Sequence, residues 1–471
     1  MITFHYSFYT HQMINATFFP TLQKDTSLIY HFGVLFNIKA TFFHCMIKNL
    51  SDFIWKYPAP ILLLVIFLYF TFKTNFVQLR ILKGIKASIR PEKNNDKSIS
   101  SLASLTTTLA ATLGTGNIIG LSLAIALGGP GAVFWCWLTG IFGMACSYSE
   151  AYICTKHKTQ NTSGPMDILS NVLNHKKLGK LYAAGIIICS FFTSAAIQSR
   201  AFSDAVFGSL GTPYILCGII IALLVMLTLS GGSKSVHNLC LKLVPVMAGM
   251  FLLGIILILL INLNQIPEAV KLIVTAAFSP VPCVVGTGSY AVSAALRQGI
   301  ARGIFTNEAG LGTAAIPATE TDNTPYTQGL ITMSATFWDT VVLCGITGIA
   351  IVSCMLSSPE VFTTAAPEDF ITTAFNTLGS TGTFCLNISI IIFAFATLIG
   401  WAHFGDTACK WLGNSFLIKA FPYMYSIMCL AGTFLNISSL FLLSDLSSII
   451  LLICDSVMLI KLRKTVKGTK D

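Results

Sequence analysis

Charge is what this sequence has least of. Asp, Glu, Lys and Arg make up 10% of its 471 residues, against about a quarter in soluble domains. With 54% hydrophobic residues and a mean hydropathy of +0.74, the shortage excludes an ordinary water-soluble core. Strand-length alternation of apolar and polar residues is missing as well, which excludes a membrane β-barrel. Backbone groups in lipid must be satisfied within their own segment, so the long apolar runs are read as helices. None of the 14 Cys forms a C-x-x-C pair or a Cys/His spacing suited to zinc, so no disulfide framework, metal centre or cofactor is expected. H-E-x-x-H, G-x-S-x-G and paired intramembrane Asp motifs are also missing, which argues against an enzyme. No filter repeat marks a passive channel. The formal charge of +10 sits in short loops between apolar runs. It therefore forms no nucleic-acid face.

What is present is an all-α membrane protein. Eleven transmembrane helices are predicted, roughly at 58–74, 103–127, 131–155, 180–206, 212–230, 241–262, 277–300, 327–354, 383–403, 421–438 and 442–461, with a surface or re-entrant helix near 367–379. Positive charge alternates with the span count. Arg80, Lys83, Lys86, Arg90, Lys156, Lys158, Lys176, Lys234, Arg297, Arg302, Lys410, Lys419 and the tail from Lys461 fall on one side. Asp204, Glu268, Glu360, Glu368, Asp369 and Asp445 fall on the other, with Lys271 as the exception. By the positive-inside rule the N-terminus is outside and the C-terminus cytoplasmic, in a bacterial-type plasma membrane. Residues 1–45 form no convincing span, and Met46 opens a more ordinary beginning, so translation from Met46 is expected. Residues 46–102 then hold the first helix and a basic loop, 103–262 and 263–461 two five-helix halves, and 462–471 a tail.

The chemistry is expected where helices break. The second span holds Gly114, Thr115, Gly116 and Asn117 in mid-run, a poor helix interior. Small residues there also suit close helix packing. A break is tolerated at membrane depth only when buried in protein or lining a cavity. Freed amides suit a carboxylate and freed carbonyls a cation. The seventh span has a similar centre at Gly286, Thr287, Gly288 and Ser289. Two interrupted helices five spans apart are what two five-helix repeats of opposite topology give, with the first helix outside the repeat.

The runs "ATLGTGNIIGLSLAIALGGPGAVFWCWLTGIFGMACSYSEA", "QGIARGIFTNEAGLGTAAI", "TFWDTVVLCGITG" and "FAFATLIGWAHFGD" resemble the alanine/glycine:cation symporter family over about residues 50–460. The resemblance implies a LeuT-like fold of 5+5 inverted repeats with one extra N-terminal helix and two discontinuous helices. It implies import of alanine or glycine, with D-alanine or serine as further candidates, coupled to sodium by alternating access. The partners so implied are the amino acid, sodium and the lipid bilayer, with no nucleic acid; the oligomeric state is open. Carried over by motif, the substrate residues are Gly114, Thr115, Gly116, Gln198, Thr287, Gly288 and Trp401. The sodium donors are carbonyls near Ala110 and Ala111 and the Thr397 hydroxyl, oxygen ligands that suit a hard cation. The chain departs from the family pattern at Ala396, where a Ser is usual, at Thr287, where an aromatic is common, and around Thr193 and Arg200. Ala396, Asp339 and His403 motivate proton coupling as the alternative, and a non-transporting sensor is a further one.

Single residues carry paired readings. Arg200 either pairs with a substrate carboxylate or snorkels and pairs with Asp204 one turn on. Asp339 is a relay or a structural acceptor. Glu308, in a loop next to Arg302, reads as a loop-ordering or gating contact more than as a binding residue. His403 is a pH switch or a helix-end cap, and Gln198 a ligand or an interhelical bridge.

Overall fold

The computed structural model describes residues 49–51, 53–55, 57–90, 98–158, 164–282, 289–435 and 437–469. It divides into two compact units, Met1–Phe53 and Ile54–Asp471, and the architecture below is that of the second. The expected boundary at Met46 lies outside the described residues.

The chain is helical almost throughout. Helix α1 (Pro58–Lys73) is followed by the short basic α2 (Ile81–Ser88). Then come α3 (Ser101–Thr112) and α4 (Leu121–Gly128), joined by a π turn over Gly116–Gly120 and bent by 53°. Helix α5 (Gly131–Lys156) starts where Gly129, at φ +76°, and Pro130 end its predecessor. Helices α6 (Lys176–Cys189) and α7 (Ile197–Leu210) are one rod widened by a π segment at Ser190–Ala196. Next are α8 (Tyr214–Ser230), α9 (Gly232–Ile261) and α10 (Ile266–Phe278). An antiparallel ladder of β1 (Val281–Pro282) and β2 (Ser289–Tyr290) leads to α11 (Val292–Asn307) and α12 (Ala315–Ala318). Helix α13 (Pro325–Thr336) runs through a π segment, Phe337–Cys344, into α14 (Gly345–Ser357). Helix α15 (Phe370–Asn376), α16 (Gly379–Leu412), α17 (Ser415–Gly432) and α18 (Ile437–Leu462) complete the bundle. Among the described residues eight helices are long and apolar enough to cross a membrane, or nine with the bent α3–α4 pair. The other two expected positions hold α8, apolar but 17 residues long, and the interrupted α11–α12.

Caps explain several boundaries. The Ser100 hydroxyl accepts the Ala103 amide at 3.2 Å, and Thr324 caps α13 through the Thr327 amide at 3.3 Å with Pro325 in the first turn. A side-chain acceptor there replaces one of the donors that a helix start leaves unpaired. Helices α11 and α13 pack along α5, while α7 and α9 pack along α16.

The basic segments gather at one end. Lys158 Nζ donates to the Thr321 carbonyl at 2.6 Å and pairs with Asp322 at 3.7 Å. Tyr148 donates to the Lys467 carbonyl at 2.6 Å, and Asn323 donates to Ser101 at 2.8 Å. Helix α3 therefore starts at the basic end and α4 finishes at the opposite one.

Two expectations change. Residues 277–300 are not one helix: α10 stops at Phe278 and α11 starts at Val292. The interruption expected at Gly286–Gly288, including the site residues Thr287 and Gly288, lies outside the described residues. Arg297 and Arg302 also do not belong with the basic loops. Gln298 packs on Gly128 at the far end of α4, which carries its neighbour Arg297 to the end opposite Lys158, and Arg302 is inside α11. Arg297 is exposed near the start of α11, while the half of the helix from Gly299 on, which carries Arg302, is packed largely in protein.

Candidate functional site

The first break follows from "LGTGN". Leu113 leaves helical geometry at ψ 82°. Its amide still bonds back to Leu109 at 2.7 Å, while the Gly114 amide turns to Thr112 at 2.9 Å. The end turn of α3 thereby loses the amides that would have covered the Ala110 and Ala111 carbonyls. Helix α16 runs against this turn. Thr397 Oγ1 donates to the Leu113 carbonyl at 3.2 Å and to Phe393 at 3.0 Å. Gly114 eases this approach: a Cβ would lie 3.0 Å from Thr397 Oγ1 and 3.2 Å from Gln198 Nε2, so both side chains would have to give way by a few tenths of an ångström. Thr115 Oγ1 donates to Gln198 Oε1 at 3.2 Å. Asn117 bonds to the Asp339 carboxyl, which also accepts from Thr340 at 2.6 Å. That is the structural reading of Asp339, which holds the π turn against the π segment Phe337–Cys344 between α13 and α14.

The second break lies beyond α11. Glu308 takes φ +52°, and Gly310 and Gly312 take φ +89° and +74°, a region that L side chains avoid. The loop is tied from behind. The Gly310 amide donates to Glu150 Oε1 at 2.6 Å, Tyr182 donates to the Leu311 carbonyl at 2.7 Å, and Thr313 donates to Glu308 Oε2 at 2.7 Å. Asp455, from α18, meets Glu150 in the same buried spot, and both are fully enclosed. Glu308 also meets Trp401.

Between the breaks lies a cavity of about 790 Å³, in the range of small-ligand sites. Ala111, Gly114, Thr115, Gly116, Gln198, Thr397 and Trp401 all line it. Ala110 is buried on the same end turn. The structure thus brings together every predicted site residue that it describes. Sequence reading missed Leu113, whose carbonyl meets Thr397, and missed the α11 wall of Arg302, Phe305 and Thr306 together with Glu308. The "FTNEAGLG" run held the signal, with its two glycines after a helix, but it reads as a surface loop.

The cavity is open at one end and shut at the other. Arg200, Asp204, Glu368, Asp369 and Asn387 line its mouth at the acidic end. Arg200 Nε donates to Asp204 at 3.1 Å, and its guanidinium lies 5.0 Å over Tyr214, so the pair is made and also faces the cavity. Burial, then neighbouring Glu368, raise the Asp369 carboxyl. The expected helix near 367–379 is α15 with the turn before it, held by the Ile371 amide on Ser122 Oγ at 3.1 Å. At the basic end Ser104 donates to the Pro317 carbonyl at 3.1 Å, and Gln328 donates to Ser104 at 3.0 Å. His403 is no interfacial cap; it is 2% exposed and bonds to Glu320.

Two helices interrupted at the same depth, with their ends around a pocket that opens to one side, define a secondary transporter of the LeuT-like type. The chain overlaps the solved structure of MhsT in complex with L-phenylalanine with a TM-score of 0.55. The overlap covers 78% of this chain and 90% of that one at 15% identity, which speaks to the fold. The model of the sodium:alanine symporter family matches residues 40–471, and the chain belongs to that family. It is similar to an uncharacterized transporter of Haemophilus influenzae, 33% identical over 90% of this chain and 95% of the relative. It is also similar to the sodium/alanine symporter AgcS of Methanococcus maripaludis, 31% identical over 83% of this chain and 88% of the relative. The protein is a multi-pass membrane transporter of a cation-coupled amino-acid symporter family, and not an enzyme.

Proposed function

We propose that this chain imports small neutral amino acids, alanine or glycine first and D-alanine or serine as further candidates, together with sodium by alternating access. The observation that carries the reading is the first break. It offers a cation only neutral oxygens, from the Ala110, Ala111 and Leu113 carbonyls and the Thr397 hydroxyl. Such a set suits a hard monovalent ion that must leave again. The Thr115 and Gly116 amides at the start of the second half-helix suit the substrate carboxylate. The carbonyl end of α11, at Phe305 and Thr306, suits its ammonium. Ala396 supplies no hydroxyl beside Thr397, so the backbone carries more of the ion's coordination. With the basic end cytoplasmic, the C-terminus is inside, the N-terminus outside, and the cavity faces outward. Sodium and substrate bind from that side, the mouth at Arg200 and α15 closes, and the Ser104–Gln328 contacts part to release both.

The test is uptake of radiolabelled alanine, glycine, serine and D-alanine into proteoliposomes with an inward sodium gradient, an inward proton gradient or neither. Sodium-driven accumulation of alanine or glycine is expected. Accumulation driven by protons and indifferent to sodium favours the proton-coupled alternative, for which Asp339 at the first break and Glu308 on the cavity wall are the buried acids at hand. Binding of alanine with no accumulation under either gradient leaves a sensor.

A further inference from the structure

Away from the cavity, three side chains far apart in the chain converge at its closed end. His237 comes from the start of α9, Glu320 from the turn after α12 and His403 from α16. His237 Nε2 lies 2.9 Å from Glu320 Oε2, and His403 Nε2 lies 2.7 Å from Glu320 Oε1. The imidazole centroids are 4.7 Å apart and nearly perpendicular, so the two rings flank one carboxylate. One potential donor atom from each residue falls within a common 4.8 Å. Nothing in the transport cycle above requires two histidines on this acid.

We propose that His237, Glu320 and His403 form a binding site for a divalent transition-metal ion, zinc above all, which clamps the basic end shut. Two imidazoles and a carboxylate are a donor set that zinc takes with its fourth position open. Zinc at roughly 2.0–2.1 Å from each donor sets tetrahedral donors roughly 3.3 Å apart, and here the three donor atoms lie within 4.8 Å of one another, so small side-chain shifts have to bring them to that spacing. The supporting contacts also fit. Thr107 Oγ1 lies 2.8 Å from His237 Nδ1, where it accepts a hydrogen bond from Nδ1–H once Nε2 turns its lone pair to the metal, the outer partner that ligating histidines usually have. His403 differs: its Nδ1 is buried with no hydrogen-bond partner, so this ring lacks the outer acceptor that Thr107 gives His237. Access exists as well. The Glu320 side chain is 23% exposed, and it is two residues from the surface pair Lys158–Asp322. A bound ion joins α9, the segment after the second break and α16, with α3 attached through Thr107. These elements have to separate for the cavity to open to the basic end, so the clamp, unlike the binding, rests on the alternating-access reading.

The purified full chain is titrated with cobalt(II) and with zinc. One equivalent of cobalt should give the visible bands of a low-coordinate nitrogen/oxygen site, displaced by one equivalent of zinc. Glu320→Gln and His403→Asn should weaken zinc at least tenfold, and Thr107→Val about tenfold. In proteoliposomes, zinc on the basic side should slow alanine uptake at least tenfold in the wild type and not in His403→Asn. No cobalt spectrum in the wild type, a measurement that needs no variant to fold, overturns the site. So does undiminished zinc binding by folded Glu320→Gln and His403→Asn. Zinc that binds at the three residues without slowing an active transporter overturns the clamp. If no uptake is seen with any substrate, the transport reading fails, while the binding titration still decides the site.

Discussion

The two breaks face the same cavity but are built from opposite materials. The first presents small uncharged residues to the cavity, with hydroxyl contacts from Thr397 to Leu113 and from Thr115 to Gln198, and one buried acid, Asp339, holds its Asn117 from behind. The second is fixed from behind by buried acids, with Glu150 on the Gly310 amide and Glu308 on Thr313. Neutral oxygens hold an ion weakly enough to release it. A carboxylate accepting a buried amide makes a stronger bond, worth about 1.5–3 kcal/mol, and is costly to break. The difference separates a site that exchanges ligands from a scaffold that keeps its shape while the other works.

Substitutions can break that distinction. Gly310→Val at the second break should have the largest effect. Its φ of +89° and a Cβ 2.1 Å from Leu63 Cδ2 leave no room for a branched side chain, so folded protein should be lost from size-exclusion profiles. Glu150→Ala should follow, with a fall in Tm matching about 1.5–3 kcal/mol that Glu150→Gln largely restores. At the first break the pattern should invert. Thr397→Val should keep the wild-type Tm within a few degrees yet raise the sodium concentration for half-maximal uptake about tenfold. Thr115→Ala should raise the alanine KM about threefold to tenfold, the value of one hydrogen bond of about 0.5–1.5 kcal/mol. Arg200→Gln at the mouth should change least, because its pair with Asp204 is half-exposed and such pairs contribute about 0–1 kcal/mol. Equal Tm losses at both breaks would erase the distinction.

The same contrast explains what the sequence made legible. "LGTGN" stands inside a long apolar run, so its break is visible as an anomaly, and Thr115, Gln198 and Trp401 fell into place with it. The second break is hidden because "TNEAGLG" is polar and follows a helix, α11, in which apolar residues alternate with Arg297, Gln298 and Arg302. Protein packs around its C-terminal half, and hydropathy reports burial in lipid rather than burial in protein. The break expected in "VVGTGSY" falls on a stretch, 284–288, that lies outside the described residues. Arg297 and Arg302 misled because a charge rule for loops was applied to residues within a helix, α11. The Leu113 carbonyl had no side-chain signal at all. The His237–Glu320–His403 cluster joins residues separated by 83 positions each, a juxtaposition that only tertiary packing creates.

The central claim is that the first break is where sodium and the amino acid meet. The most direct measurement is accumulation of radiolabelled alanine in proteoliposomes as a function of sodium, for the wild type and Thr397→Val side by side. The account predicts sodium-driven accumulation in the wild type and a curve shifted to about tenfold higher sodium in a variant of unchanged Tm. Superimposable curves, or accumulation that ignores sodium in both, contradict it.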